Sequence, residues 1–207
     1  LLLWDFRTSG KTGNGRGRFQ ERRGIMVYVH LAEGFEEIEA LTIVDLLRRA
    51  GIGVQTVSIG SGLSVKGTHG VNVDADITFD KADYAGCEMI VLPGGMPGAA
   101  NLGDHEGLTA EIKSAAAAGR KVAAICAAPM VLGACGILNG KKATIYPGME
   151  DRLTGADPQK DGVIVDGNII TGKGPAFAMD FALALIEEIS GRAKADEVAE
   201  GLLYGRK

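Results

Sequence analysis

Cys126 stands in the run Ala124-Ile125-Cys126-Ala127-Ala128-Pro129, where a strand-like stretch hands over to a helix-like one. Lys121-Val122-Ala123-Ala124-Ile125 reads as a short buried strand, apolar and without a break. Pro129 to Ala134 reads as a helix, with proline tolerated in its first turn. A cysteine at that handover points out of the carboxyl edge of a sheet, with a helix amino-terminus behind it. Free N–H groups and partial positive charge there favour thiolate over thiol. Ala124 and Ala128 are small, as a tight strand-turn-helix elbow requires. Two chemistries follow, nucleophilic attack and selective oxidation. Taken alone, the turn fits a buried, inert core cysteine equally well.

A thiol that does chemistry needs a proton acceptor and a place for developing negative charge. Glu39 is a candidate for the first: it lies one turn inside a helix and shares a face with Thr42, Ile43, Leu46 and Leu47. A carboxyl heading an apolar row is partly buried, pushed toward its protonated form, and able to hydrogen-bond a thiolate. Glu36 heads a similar row, so periodicity alone does not choose between them; Glu36 and Glu37 are expected to face solvent and complement the helix dipole. Gly94-Gly95, after a core strand, leaves its backbone open, and its N–H groups with that of Ala127 could form an oxyanion hole. Tyr146, ending a short strand, could bring its hydroxyl to the site or simply pack. The histidines build no dyad with Cys126: His30 lies inside a strand, His69 in a hairpin turn, and His105 at a helix start.

The elements that must position these groups alternate. Met26–Leu31 is a strand, Glu36–Ala50 a helix with acids first, arginines last and Gly51 as stop, and Ile52–Ile59 a second strand. This βαβ pattern implies a parallel sheet. Residues 63–66 and 71–74 flank Gly67-Thr68-His69-Gly70 as a hairpin insertion. Further strands are expected at 88–92, 121–125 and 143–146, a hairpin about Gly167, and helices at about 107–118, 176–190 and 195–203. The fold class is a single-domain, three-layer α/β/α sandwich. In such sheets ligands bind outside the carboxyl ends of the strands. There the loops after Leu31 and Leu92, the Cys126 turn and Tyr146 converge.

The 207 residues suffice for one domain with a real core. Their 46% hydrophobic and 23% charged content is ordinary for a globular protein. No apolar stretch approaches the roughly 20 residues that span a bilayer. The three cysteines, Cys87, Cys126 and Cys135, share no metal-like spacing, which argues against a disulfide scaffold or zinc site and suits a reducing cytoplasm. Residues 1–25 carry six basic and two acidic residues and no hydrophobic period, and read as a segment outside the fold, with the natural start expected at Met26. Gly10-Lys11-Thr12 is no phosphate loop, since Asp5 occupies the required glycine position. The remainder, 16 basic against 24 acidic residues, argues against nucleic-acid binding.

Together these residues resemble the ThiJ/PfpI family, in the branch of the Parkinson-disease-associated deglycase, or glyoxalase III, and its bacterial relatives. The resemblance runs from about Met26 to Lys207. It is carried by Ala32-Glu33-Gly34-Phe35-Glu36-Glu37-Ile38-Glu39, Val91-Leu92-Pro93-Gly94-Gly95, Ala123 to Pro129, and Gly172-Lys173-Gly174-Pro175. It implies a flavodoxin-like, class I glutamine amidotransferase-like fold, usually dimeric and needing no cofactor. It implies Cys126 as nucleophile, Glu39 as its protonated partner, Gly95 and Ala127 as backbone donors, and Gly174 and Pro175 near the site. The activities implied are a glyoxalase converting methylglyoxal to lactate, deglycation of early glyoxal adducts, oxidation of the cysteine to sulfinate, and a chaperone-like role. Two departures stand out. Ala127 replaces the histidine of the protease-like branch, against a peptidase, and Tyr146 stands where some members place a histidine, leaving Glu39 as the main acid/base. No histidine follows His105, which excludes a glutamine amidotransferase.

Overall fold

The computed structural model describes residues 26–205; the expectation for residues 1–25 lies outside them. The elements run β1 (Met26–Leu31), α1 (Glu37–Arg49), β2 (Gly53–Ser58), β3 (Ser64–Lys66), β4 (Asn72–Asp74), β5 (Ile77–Thr78) and β6 (Cys87–Leu92). Then come α2 (Gly98–Asp104), α3 (Glu106–Ala117), β7 (Lys121–Ile125), α4 (Pro129–Ala134), β8 (Lys142–Ala143) and β9 (Asp157–Pro158). The chain closes with β10 (Val163–Asp166), β11 (Ile169–Gly172), α5 (Ala178–Ser190) and α6 (Arg192–Gly201). The main sheet has seven strands in the order β10-β11-β7-β6-β1-β2-β5. Its pairings are parallel except β10 with β11, the hairpin about Gly167. Helix α5 packs against both α1 and α6, and α2 packs with α3 and α4. This is the expected flavodoxin-like sandwich.

The central strands are apolar on both faces because helices cover both. Val27, Val29, Met89 to Leu92 and Val122 to Ile125 are fully buried. The register Leu92↔Ala124 and Gly172↔Ile125 brings the ends of β6, β7 and β11 level, so that the turns after them meet. The hairpin β3–β4 stands off the main sheet as an antiparallel pair. Its tip is pinned over the β1–α1 loop: Gly34 N–H donates to Lys66 O at 2.8 Å and Thr68 N–H to Phe35 O at 2.8 Å.

The structure departs from expectation in three places. The short helix α2 and the edge strand β5 lack a long periodic run and carried no signal. The strand expected at 143–146 is only β8, which pairs with β9 outside the main sheet; Tyr146 is half exposed rather than packed in a strand end. His30, by contrast, is the structural histidine anticipated. It is fully buried, its Nε2 lies 2.6 Å from Tyr84 Oη, and burial drives it down to about 3.

Candidate active site

Cys126 directly follows β7 with φ +64°, a left-handed backbone that only one other non-glycine among the described residues adopts. Such a conformation costs a β-carbon residue roughly 1–2 kcal/mol. It persists because the neighbours fix it. The Cys126 N–H donates to Gly172 O at 2.9 Å, its carbonyl accepts from Tyr146 N–H at 2.9 Å, and Ala128 N–H closes the turn onto Ile125 O at 3.0 Å. Here the elbow expected from the small alanines takes physical form. The side chain leaves the strand direction and stands at the sheet's carboxyl edge, 8% exposed.

Glu39 comes to it from α1. Glu36 caps that helix, its Oε2 accepting from Glu39 N–H at 2.8 Å. The first turn thereby aims the Glu39 carboxyl at the turn after β6, where Gly94 N–H donates to Oε2 at 2.7 Å. Glu39 is fully buried, and Oε1 has no hydrogen-bond partner of standard geometry. Gly94 separates carboxyl and thiol by the width of its missing side chain. A β-carbon there would lie 2.6 Å from Cys126 Cβ and 2.8 Å from Glu39 Oε2. Gly95, at φ +88°, is pressed against the β1–α1 loop, where a β-carbon would lie 2.6 Å from Glu36 N. The Glu36 N–H donates to Gly94 O at 2.9 Å and locks that turn to the helix start.

Of the three backbone donors expected to form an oxyanion hole, Gly94 is engaged elsewhere, by Glu39. Gly95 and Ala127 are the two whose N–H groups act on the Cys126 sulfur. The electrostatics also differ from the simple helix-terminus expectation. Burial, then the negative charge of Glu39 and the hydrogen bond with it, push the Cys126 thiol up to about 12, against the pull of the Gly95 and Ala127 N–H groups. Helix α4 has six residues and begins with proline, which has no N–H to offer, so its terminus does not offset burial. Glu39 is itself raised to about 7, chiefly by burial, with the Glu36 charge adding. Two acids this close titrate as one pair. With the proton on Glu39, the carboxyl changes from an anion repelling a thiolate to a donor stabilising it.

Above the sulfur lies a cavity of about 410 Å³ with a mostly apolar rim of Met96, Tyr146, Pro147 and Met149. Sequence reasoning missed the two methionines and Pro147, which lie in irregular loops without pattern. Gly174 and Pro175 line a neighbouring cavity of about 210 Å³ that shares Tyr146 and Pro147 with the first. A larger cavity of about 510 Å³ opens beyond β1 and β2, beside Glu33, Ser58 and Asn101, and none of the expected site residues lines it. The other thiols are differently placed: Cys87 is buried and pushed up to about 11 by burial, and Cys135 is half buried.

Glu36 and Glu37 do not face solvent as expected; both are buried. The β3–β4 hairpin covers them and brings His69, which the sequence left as a turn residue. Its N–H donates to Glu37 Oε1 at 2.7 Å and its ring Nδ1 lies 2.8 Å from Oε2. The ligand-type atoms of Glu36, Glu37 and His69 fall within 4.8 Å of one another. Since Glu37 already takes these contacts and Glu36 Oε2 caps α1, the three form an ion-pair network.

Residues 25–188 match the DJ-1/PfpI family. The protein dj-1beta of Drosophila melanogaster is 39% identical over 177 residues, covering 84% of this chain and 95% of its own length. The DJ-1 homologue B of Arabidopsis thaliana is 38% identical over 178 residues, 86% of this chain. This chain spans less than half the length of that plant relative, about 41%. A Caenorhabditis elegans relative named glutathione-independent glyoxalase DJR-1.2 is 31% identical over 177 residues, 84% of this chain and 93% of its own. Among solved structures, oxidized Toxoplasma gondii DJ-1 superposes with a TM-score of 0.85 at 39% identity, covering 88% of this chain and 100% of that one. Among the described residues no helix is long and apolar enough to cross a membrane. Fold, elbow and relatives agree, and the chain belongs to the DJ-1/PfpI family.

Proposed function

We propose that the chain is a cofactor-independent glyoxalase acting on small 2-oxoaldehydes such as methylglyoxal, or on their early protein adducts, with Cys126 as nucleophile and Glu39 as proton shuttle. The observation that carries this reading is a buried carboxyl and a strained, outward-turned thiol separated only by Gly94. The relative named as a glyoxalase supports it. The sulfur, having passed its proton to Glu39, attacks the aldehyde carbon. The new oxyanion lies against the Gly95 and Ala127 N–H groups and takes the proton back from Glu39, giving a hemithioacetal and a Glu39 carboxylate. The Glu39 carboxylate then removes the proton on that carbon, the electrons move to the ketone, and an enediol forms. Returning the proton to the former ketone carbon leaves a 2-hydroxy thioester. Water cleaves it to lactate and the free thiol. The apolar rim of Met96, Tyr146 and Pro147 suits a small, uncharged substrate.

The second reading is a redox sensor or stress chaperone working through oxidation of Cys126, which the same thiol and partner would serve. Homodimerisation belongs to the proposal as well; Ile38 and Leu41 on α1, 58% and 42% exposed, offer an apolar patch for it. So does a cytoplasmic location. The test is methylglyoxal consumption by the purified chain without glutathione or metal. Steady lactate formation supports the enzyme, and its absence together with stoichiometric Cys126 oxidation by peroxide supports the sensor.

A further inference from the structure

The network at the start of α1 is not used by the chemistry above, yet it touches the group that is. Glu36 Oε2 accepts from Glu39 N–H at 2.8 Å, and Glu36 N–H holds Gly94 O at 2.9 Å. Glu36 is therefore one helical turn from the Glu39 carboxyl, whereas Cys126 lies beyond Gly94 on the far side. Its other oxygen, Oε1, lies 3.9 Å from His69 Nδ1, and Glu37 Oε2 lies 2.8 Å from the same nitrogen. Among the described residues no other cation lies within ion-pair distance of Glu36 or Glu37. The groups facing one another are thus Glu36 and Glu37 from α1, and His69 from the hairpin tip, with Lys66 on that same hairpin. Glu39 is faced by Glu36, by Cys126 from the turn after β7 and by Gly94 N–H from the turn after β6.

We propose that Glu36 is a positioning residue that biases the shared proton toward Glu39 and the charge toward Cys126, and that His69 sets the strength of this effect by ion-pairing with Glu36 and Glu37. The proposal rests on Glu39 and Cys126 being one proton-sharing pair. When the pair holds one proton, its negative charge sits on either carboxyl or sulfur. A negative Glu36 next to the carboxyl disfavours the first arrangement more than the second, because Coulomb repulsion falls with distance. A protonated His69 offsets part of that repulsion and relaxes the preference. Burial of both glutamates strengthens the effect relative to surface charges. His69 is itself raised by its hydrogen bond to Glu37, so its protonated form is favoured by the same pairing.

The experiment is the rate of Cys126 alkylation by iodoacetamide from pH 5 to 9, followed by peptide mass spectrometry on the full chain. It reads the thiolate fraction and the midpoint at which it forms. Glu36→Gln retains the helix cap but removes the charge. It should lower the plateau rate roughly three- to fivefold and move the midpoint to lower pH. His69→Lys places a permanent cation beside the network and should change both in the same direction. His69→Gln removes the group that offsets the Glu36 charge and should move the midpoint to higher pH. A purely structural role would change melting temperature without this signed pattern. Unmoved plateau and midpoint in Glu36→Gln and His69→Lys overturn the proposal. Should Glu36→Gln fail to fold, the two substitutions at the exposed His69 decide alone. No 2-oxoaldehyde is used, so loss of the glyoxalase reading would leave this result standing.

Discussion

Glu39 and Cys126 face each other across Gly94, so closely that one added methyl group would touch both. Three segments far apart in sequence make this arrangement. The first turn of α1 supplies the carboxyl, the turn after β6 the gap, and the elbow after β7 the thiol. Each is held by backbone hydrogen bonds of about 3 Å rather than by side-chain packing alone.

Gly94→Ala tests the gap directly. The new methyl would be 2.6 Å from Cys126 Cβ and 2.9 Å from Ile125 O, contacts that force sulfur and carboxyl apart. Turnover should fall at least about 100-fold, since misplacement near 1 Å costs that much. Circular dichroism should still show the α/β fold. Wild-type turnover in this variant would show that the pair need not be adjacent.

The elbow carries strain that a substitution can release. Glycine has no β-carbon to resent φ +64°, whereas alanine keeps the clash. Both Cys126→Gly and Cys126→Ala lose the thiol. Cys126→Gly should nonetheless be the more stable by about 1 kcal/mol in urea unfolding, after its entropic cost. Equal stabilities would mean that the turn is not strained.

The fold was legible in the sequence wherever burial was continuous. Lys121–Ile125 stands as a strand because nothing polar follows Lys121 in it, Met26–Leu31 because only His30 breaks its apolar run, and the Gly67–Gly70 turn announces its hairpin. What was not legible lay in irregular chain. Tyr146 was expected to end a strand but sits in a loop beside Pro147. Glu36 and Glu37 were expected at the surface because helix periodicity cannot foresee a hairpin 30 residues later folding over them. The positive φ of Cys126 left only an indirect trace, the small residues around it. The site residues themselves were named by motif, and their division of labour needed coordinates: Gly94 serves Glu39, while Gly95 and Ala127 serve sulfur.

Stability should respond to pH in two opposed windows. His30 is held neutral, its folded value near 3 against 6.5 unfolded, so the unfolded chain binds more protons on acidification. Its contribution is complete above pH 6.5 and is lost as pH falls toward 3. Glu39 is raised from 4.5 to about 7. Its contribution is complete below pH 4.5 and is lost as pH rises through 7. Glu39→Gln should therefore be more stable than wild type at pH 8, by up to about 3 kcal/mol, and no more stable at pH 4.5. A melting temperature at pH 8 below that of wild type would contradict this assignment.

Peroxide should distinguish the three thiols. Cys126 has N–H donors and a carboxyl at its sulfur, whereas Cys87 is buried at the start of β6 with its thiol donating to Met89 O at 3.2 Å. Peptide mass spectrometry at low peroxide should find sulfinate on Cys126 before either Cys87 or Cys135 is modified. Uniform oxidation would remove the ground for a sensor role.

Lactate formation from methylglyoxal, measured without glutathione for the wild-type chain, Cys126→Ser and Glu39→Gln, tests the central claim most directly. Steady production by wild type, none above background with Cys126→Ser, and at least about a 100-fold fall with Glu39→Gln are expected. Wild-type turnover by Cys126→Ser would contradict the account.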